Sequence, residues 1–454
     1  MEERSIFSNP KTGFGLIRNL KTNNALLTGM WRNRLIRYYK NIIPSNVDRA
    51  KQIWLTTSEE INSFYKGQKE GTHDLSEIEY VCISEAISDV YDIIDHFSLL
   101  RAELPDHARL IFTNFNWLWS PLFYLSGLVG LSRKRDLVNF YREGDLNCFL
   151  DMAGWEVVKQ INGFFIPFRI PIIGTLFDNI LAKLPGFRNF VLNNVTVARK
   201  RLEGKTGDYS VSVLIPCKNE EDNIRACVKR VPKMGTYTEL VFINDKSTDS
   251  TENVIKNCIK EFPDKNIVLA QGKGLGKGEA VACGMEKAAG DICMILDADL
   301  TVMPEDLPQF YEAIRLRRAD FIHGTRLVYA QENDSMRFFN LLGNIMFSIL
   351  FTYIIGERTT DTLCGTKVYW RRDWPLFMEM KNLLKKSDMW GDYQLIFGAA
   401  RFNLKIAQLP VRYYERLQGT TKMNKRLRNG LIMLRITWYA FWKVKFFGFN
   451  QKPS

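Results

Sequence analysis

Histidine is scarce in this chain of 454 residues, at four, and the eight cysteines never fall in a C-x-x-C pair. Neither a zinc site nor a disulfide framework is suggested by that spacing. The expectation is reduced, mostly buried thiols in a cytosolic protein. The start, MEERSIFSNP, has no apolar stretch behind its charges, so no secretory signal is read. Long apolar runs are missing too. The two uncharged stretches, Ile111–Leu131 and Phe338–Gly356, are broken by Asn114, Asn116, Ser120 and Pro121 and by Asn340, Gly343 and Asn344. A membrane span needs about 20 predominantly apolar residues, so both are expected as buried or interface-lying helices. Low-complexity segments and short tandem repeats are also absent.

What remains is ordinary globular material, 46% hydrophobic and 25% charged, long enough for two or three domains. Charge is unevenly spread. Of the net +12, Val411–Ser454 carries nine, with ten basic residues against Glu415 alone. A charge so concentrated points to a local anionic partner such as a phosphate, a lipid headgroup or nucleic acid, the plain alternative being a solvated basic tail.

Two α/β runs are separated by a polar seam, RKRLEGKTGDY, at 199–209. After it, the β-rich runs 211–215, 239–244, 266–270 and 291–297 alternate with helix-like segments near 221–231, 250–261 and 276–289. Such alternation predicts βαβ units and a parallel sheet, with ligands beyond the carboxyl ends of the strands. Before the seam, 78–84, 109–115, 155–160 and 194–200 read as strands, with helices over Asp89–Glu103 and Glu143–Ala153.

Three polar clusters fall at strand ends. MILDADL (294–300) brings Asp297 and Asp299 to the sheet edge, where a hard divalent cation, Mg²⁺ or Mn²⁺, is the usual partner of paired carboxylates and would neutralise a departing diphosphate. Capping of the helix after Pro304 is the alternative. In FINDKSTDST (242–251), Asp245 is placed to accept from an N–H of a base, while Ser247, Thr248 and Asp249 suit a helix N-cap. Pro216–Glu220 ends in a polar turn from which Glu220 could reach a ribose hydroxyl, the plain alternative being simply a loop. Between strand and helix, Gly272–Gly278 is glycine-dense, and its amides and lysines suit phosphate, although the Walker spacing is absent.

Residues 211–430 resemble the family 2 glycosyltransferases, and within them the dolichyl-phosphate-mannose-synthase-like, polyprenyl-phosphate branch. The resemblance rests on VSVLIPCKNEEDNI, FINDKSTDST, GLGKGEAVACGM, DADL, HGTRL (323–327), DTLCGTKVYWRRD (361–373), GDYQLIFGAA (391–400) and RLQGTTK (416–422), in the family's order. It implies an α/β chain with a GT-A nucleotide-diphospho-sugar transferase fold, built on a Rossmann-like, parallel-rich sheet. It also implies an inverting, metal-dependent transfer of a sugar from a nucleoside-diphosphate sugar to a lipid phosphate. Residue by residue, Pro216, Glu220, Asp245, Lys277 and Asp297 would hold the donor nucleotide, and Asp297 and Asp299 the metal. Asp392 and Asp299 would be catalytic, and Arg326, Asp361, Lys367, Arg416 and Lys422 would surround the diphosphate and acceptor phosphate. Two positions depart from the pattern: Asn244-Asp245-Lys246 replaces two acids and a glycine, and Gly391-Asp392 leaves Asp392 as the only base candidate in its motif.

The first half resembles the back portion of class I S-adenosylmethionine methyltransferases in 79–104, 108–119, 146–158 and 194–200. QIWLTTSEE (52–60) lacks the glycine turn that a cofactor would need. It is therefore expected to be a degenerate, partial methyltransferase-like α/β domain that docks rather than binds the cofactor. The expected organisation is that domain over 1–200, a linker over 201–210, the glycosyltransferase domain over 211–426 and a basic amphipathic helix and tail over 427–454. In LRNGLIMLRITWYAFWKVKFF (427–447), a helix would group Arg428 and Arg435 on one side, flanked by Lys443 and Lys445, with Leu431, Ile432, Leu434, Trp438, Tyr439 and Trp442 elsewhere. That suits peripheral attachment to the anionic inner face of a membrane, against the alternative of a core-packed helix with a solvated basic edge. No nucleic acid is expected. The competing functions are the same donor chemistry on a saccharide or other hydroxyl, a non-catalytic scaffold, or a methyltransferase.

Overall fold

The computed structural model describes residues 25–44, 46–55, 75–87, 92–128, 141–165, 177–178, 181–183, 186–202, 207–328, 338–384, 390–414 and 426–446. The chain divides into two compact units, Met1–Arg201 and Leu202–Ser454.

The first unit runs α1 (Ala25–Lys40), β1 (Gln52–Leu55), β2 (Tyr80–Ala86), α2 (Ile93–Glu103), β3 (Arg109–Phe115), α3 (Ser120–Leu128), α4 (Glu143–Met152), β4 (Trp155–Asn162) and β5 (Asn193–Lys200). Its five strands lie in the order β1-β2-β3-β5-β4. The first three are parallel, and β5 runs antiparallel between β3 and β4. In β3, Leu110 and Phe112 join one core with Phe97, Leu100, Leu146 and Leu150, while Ile111 joins another with Tyr39, Val195 and Val197. Burial on both faces explains why this strand reads as an unbroken apolar run rather than an alternating one. Asp92 starts α2 by accepting from the amides of Ile94 and Asp95, each at 3.0 Å.

The second unit contains β6 (Val211–Cys217), α5 (Glu221–Arg230), β7 (Thr238–Asn244), α6 (Thr251–Glu261), β8 (Asn266–Gln271), α7 (Lys277–Met285), β9 (Ile292–Ile295), α8 (Leu307–Arg315), β10 (Phe321–Thr325), α9 (Phe338–Ile355), β11 (Lys367–Trp370), α10 (Trp374–Leu383), α11 (Asp392–Arg401), β12 (Ile406–Pro410) and α12 (Arg426–Ala440). Seven strands are ordered β12-β10-β11-β9-β6-β7-β8. The expected parallel sheet holds for β9, β6, β7 and β8. It is broken by β11, which is antiparallel to both β9 and β10. Alternate residues of β6 face two cores: Val213 and Ile215 pack with Ile224 and Phe310, and Leu214 packs with Ile243, Ala280 and Tyr393. Each such fully buried side chain contributes about 1.5–3 kcal/mol.

Two expected boundaries move. β9 stops at Ile295 rather than Asp297, with one further bond to the neighbouring strand from the Leu296 amide to the Leu214 carbonyl at 3.0 Å. The last helix is α-helical only to Ala440 and continues as a π-helical turn over Phe441–Phe446, so the expectation of one α-helix over 427–447, with Lys443 and Lys445 flanking Arg428 and Arg435, does not apply. All eight cysteines are free thiols, seven of them buried. Among the described residues no helix is long and apolar enough to cross a membrane.

Candidate active site

The carboxyl ends of β6 and β7 carry loops that lace together. Asn219, in a left-handed conformation with φ 54°, donates its amide to Ser247 Oγ at 3.0 Å and accepts at Oδ1 from the Thr248 amide at 2.8 Å. The Glu220 amide donates to Thr251 Oγ1 at 2.9 Å, and the Glu220 carboxylate accepts from Asn223 Nδ2 at 2.8 Å. Asp249 accepts from both the amide and the hydroxyl of Thr251, but the residue at the N-cap of the helix is Ser250, outside the expected Ser247–Asp249 run, and its side chain makes no cap bond. Pro216 is half-buried opposite Ile243 in the ladder.

Asp245 is buried and turned toward the glycine loop rather than left open. Its Oδ1 accepts from the Gly274 amide at 2.6 Å and its Oδ2 from the Gly276 amide at 3.3 Å. Gly274 and Gly276 have φ values of 77° and 107°, which side chains with a Cβ rarely adopt, so the loop that presents these amides depends on glycine. In this structure the two amides therefore hold a carboxylate of the chain itself. The expectation that they face phosphate is corrected to that extent.

Directly after the loop, Lys277 begins α7 and its ammonium lies 2.6 Å from Asp297 Oδ1 and 4.0 Å from Asp392 Oδ1. Burial pulls the pKa of Lys277 down, but Asp297 and Asp392 outweigh it and hold the lysine above its usual value. Burial likewise pushes Asp297 up, and the Lys277 charge overrides it, so the carboxyl sits below the usual range. On the neighbouring strand, fully buried Lys367 donates to Asp392 Oδ1 at 2.6 Å and to the carbonyl of Cys364. Asp392, the first residue of α11, is thus held between two ammonium groups.

Gly365 explains how close these groups lie. A Cβ there would fall 1.9 Å from Asp297 Oδ2 and 2.8 Å from Lys277 Nζ. Asp299 stands two residues beyond Asp297 and accepts at Oδ1 from the amide and hydroxyl of Thr301, at 3.2 and 2.9 Å. One oxygen thus shapes the turn that follows.

Arg326 and Asp361 form a buried bidentate pair. Nε reaches Oδ2 at 2.7 Å and Nη2 reaches Oδ1 at 2.9 Å, with further donations to the carboxylate from the amides of Arg326 and Leu363 and from Asn344 Nδ2. Burial alone would raise the Asp361 pKa, but the guanidinium holds it well below the carboxylate range. The pair ties the end of β10 to α9 and to the 361–365 loop, so its principal partners are protein groups. Arg416 and Lys422 lie outside the described residues.

Sequence reasoning missed His323 and Gly365 as parts of this arrangement, although both stand inside quoted motifs. His323 lies opposite Lys367 across β10 and β11, fully buried, with neither ring nitrogen paired. Burial, reinforced by the Lys367 charge, lowers its pKa to about 3, so the ring is neutral.

With this geometry in view, the comparisons with known proteins are specific. Residues 212–374 match the family described as Glycosyl transferase family 2, so the second unit carries a family 2 glycosyltransferase domain. A dolichyl-phosphate beta-glucosyltransferase of Trichomonas vaginalis is 26% identical over 263 residues, 52% of this chain and 76% of that protein. A dolichol-phosphate mannosyltransferase of Pyrococcus furiosus is 33% identical over 134 residues, 29% of this chain and 37% of that protein. An undecaprenyl-phosphate 4-deoxy-4-formamido-L-arabinose transferase of Pectobacterium atrosepticum is 26% identical over 218 residues, 47% of this chain and 62% of that protein. This chain therefore covers less than two thirds of the last two. Among solved structures, glucosyl-3-phosphoglycerate synthase of Mycobacterium tuberculosis, in complex with Mn²⁺, UDP and glucosyl-3-phosphoglycerate, aligns with a TM-score of 0.36 and 17% identity over 53% of this chain and 82% of that one.

Proposed function

We propose that the second unit, with a GT-A arrangement, moves a sugar with inversion from a nucleoside-diphosphate sugar to a polyprenyl-phosphate-type acceptor. The observation that carries this reading is the state of Asp392. Its Oδ1 is already engaged by buried Lys367 at 2.6 Å and faced by Lys277 at 4.0 Å, a geometry that suits positioning of cations rather than contact with an acceptor hydroxyl. A hydroxyl acceptor needs a base. A phosphate oxygen is already ionised near neutral pH and needs only alignment and charge compensation. Asp392 then acts as a positioning residue for Lys367 and Lys277, and those two ammonium groups supply positive charge beside the reacting phosphates. The names of the relatives acting on dolichyl and undecaprenyl phosphates support the same acceptor class.

On the donor side, Pro216, Glu220 and the Asp245-braced glycine loop would line the nucleoside. Asp297 and Asp299 fit a divalent cation of the Mg²⁺ or Mn²⁺ kind, which is held by one or two carboxylates and completed by substrate phosphates and water. Among the described residues no group of three His, Cys, Asp or Glu side chains could hold a metal. When bound, the cation would neutralise the leaving diphosphate. Lys277 would meanwhile exchange part of its pairing with Asp297 for the incoming phosphates.

The membrane contact is assigned to α12. Met433, Ile436 and Ala440 pack into the core, whereas Leu431, Leu434 and Trp438 are exposed together with Arg428 and Arg435. Both features of the sequence reading are combined: one side is core-packed and the other offers apolar and basic groups to an anionic cytoplasmic leaflet. The first unit is read as a degenerate methyltransferase-like docking domain, on resemblance and on the absence of glycine from QIWLTTSEE, 52–60.

The test supplies UDP- and GDP-sugars with Mn²⁺ to the full chain, in the presence of either a short polyprenyl phosphate or a sugar hydroxyl acceptor, and assigns the anomeric configuration of the product by NMR. Transfer to the lipid phosphate with inversion is expected. Efficient transfer to the hydroxyl acceptor, with none to the phosphate, would overturn the proposal.

A further inference from the structure

A file of alternating charges runs inward from Asp297. That carboxylate meets Lys277 at 2.6 Å, Lys277 stands 4.0 Å from Asp392, and Asp392 meets Lys367 at 2.6 Å. Two carboxylates and two ammonium groups balance, and the inner end of the file is Lys367, which has no exposed surface. An ammonium group has three N–H donors. Lys367 spends one on Asp392 Oδ1 and one on the carbonyl of Cys364.

The residue directly opposite Lys367 in the antiparallel ladder is His323. Residues so placed share one face of the sheet, with Cβ atoms about 4.5–5.5 Å apart. The next pair on that face, Phe321 and Tyr369, lies in the core that also holds Tyr393 and Phe397, so His323 and Lys367 point to the side on which α11 packs. His323 has no exposed surface, and neither ring nitrogen meets a partner. Burial and the Lys367 charge keep the ring neutral, with a pKa of about 3, against the opposing pull of Asp361.

A neutral imidazole carries one N–H and one nitrogen with a free lone pair. Leaving that lone pair unmatched in the interior is costly, and leucine or phenylalanine would bring no such cost. Other neighbours do not relieve it. Gln408, opposite His323 on β12, is committed: its Oε1 accepts from the amide and hydroxyl of Thr360, and its Nε2 donates to the Arg358 carbonyl. Phe321, with its ring centroid 6.2 Å away, has no hydrogen-bonding side chain. The spare lone pair and the spare N–H therefore belong to one cross-strand pair.

We propose that His323 is a positioning residue for Lys367: when donor phosphates and metal enter at the outer end of the file, the ammonium turns its third N–H onto the unprotonated ring nitrogen and is held in line with Asp392. The inference rests on the donor half of the function proposed above and not on the choice of acceptor. A further acceptor at the inner end limits how far Lys367, and through it Asp392, follows the charge that arrives at Asp297 and Lys277. The ring takes no proton and touches no substrate; it fixes the direction from which the ammonium presents its charge.

The full chain has four histidines, few enough for selective ¹⁵N labelling to resolve each ring by NMR. The His323 signals are assigned by their loss in His323→Gln. Titration with UDP or GDP in the presence of Mg²⁺ should move the unprotonated ring nitrogen to lower frequency, the direction taken by an imidazole nitrogen that begins to accept a hydrogen bond. The movement should be absent from Lys367→Met at saturating nucleotide. With a polyprenyl phosphate acceptor, His323→Leu should lower kcat about tenfold and leave the donor KM within about twofold, and His323→Gln, whose side-chain oxygen still accepts, should recover most of the loss. Equal kcat in the Leu and Gln variants would overturn the inference, leaving packing as the ring's only role. So would a ring nitrogen that is already hydrogen-bonded before nucleotide is added and is unmoved by it, which would assign the lone pair to a buried water. Movement of the signal without transfer to the polyprenyl phosphate would sustain the inference and refute the acceptor reading; transfer without movement would do the reverse. Where Lys367→Met fails to fold, the titration of the unaltered chain and the comparison of the Leu and Gln variants decide the matter.

Discussion

Replacing Asp361 by Asn keeps the shape of the side chain and removes its charge. In the folded chain the carboxylate is fully buried, and five donors point at it: two from the Arg326 guanidinium, the amides of Arg326 and Leu363, and Asn344 Nδ2. An amide has one accepting oxygen, so either orientation turns its NH₂ toward at least two of those donors. The buried guanidinium loses its counter-ion at the same time. Breaking a buried ion pair on one side costs about 3–5 kcal/mol, equivalent to about 6–20 °C in the melting temperature of a domain this size. Scanning calorimetry of the full chain should find one transition shifted by that amount at pH 7. The Asp361 pKa is depressed in the folded state, so its contribution is fully present above the unfolded value near about 4 and is lost as pH falls below it. The difference between Asp361→Asn and the natural chain should therefore narrow in acid. Arg326→Met combined with Asp361→Leu should recover much of the loss. A single variant melting within about 2 °C of the natural chain at pH 7 would refute the reasoning.

Asp299→Asn should lower turnover at least about a hundredfold and remove metal-dependent donor binding. Its stability should change by less than about 1 kcal/mol, because an amide oxygen still accepts from Thr301; calorimetry and Mn²⁺-dependent donor titration check both parts. Gly365→Ala should push Asp297 away from Lys277, cost about 1–3 kcal/mol and raise the donor KM more than it lowers kcat. Steady-state kinetics with varied donor measures that split. His323 is held neutral with a pKa of about 3, so the unfolded chain takes up a proton that the folded chain refuses, and stability is lost as pH falls from about 6.5. His323→Gln should remove about 2 kcal/mol of the stability lost between pH 7 and 5, read from urea midpoints.

Strands β6, β7 and β9 were legible because each is a short apolar run buried on both faces. The polar residues that end them, Glu220, Asp245 and Asp297, mark the sheet edge for the same reason. Partners across long separations were not. Nothing in DTLCGTKVYW announces that its strand runs antiparallel between β9 and β10, because pairing direction is fixed by the connection that precedes it rather than by side-chain periodicity. The Lys367–Asp392 pair follows from that insertion and was equally hidden. Asp245 was legible as a strand-end acid, but its burial and its choice of the Gly274 and Gly276 amides depend on the loop's backbone angles. The end of α12 escaped because a change from α to π winding has no marker in an aromatic stretch such as YAFWKVKF. The core contacts of that helix also make deleting it a poor test of membrane binding, since Met433, Ile436 and Ala440 would leave the core with it.

The insertion of β11 has a consequence for how the polypeptide is made. As the chain leaves the ribosome, β6, β7, β8 and β9 can assemble in order, each beside a strand already present or joined to it by a short helical crossover. The outer side of β9 then stays open while α8, β10 and α9 are synthesised, and closes only when Lys367–Trp370 arrives. An apolar strand with unpaired backbone is a template for wrong pairing. The nascent chain is thus most exposed to aggregation between completion of Ile295 and emergence of Trp370, which is where a holdase chaperone should be found on it. Arrested chains ending inside this window should be captured, and those extending past α11 released.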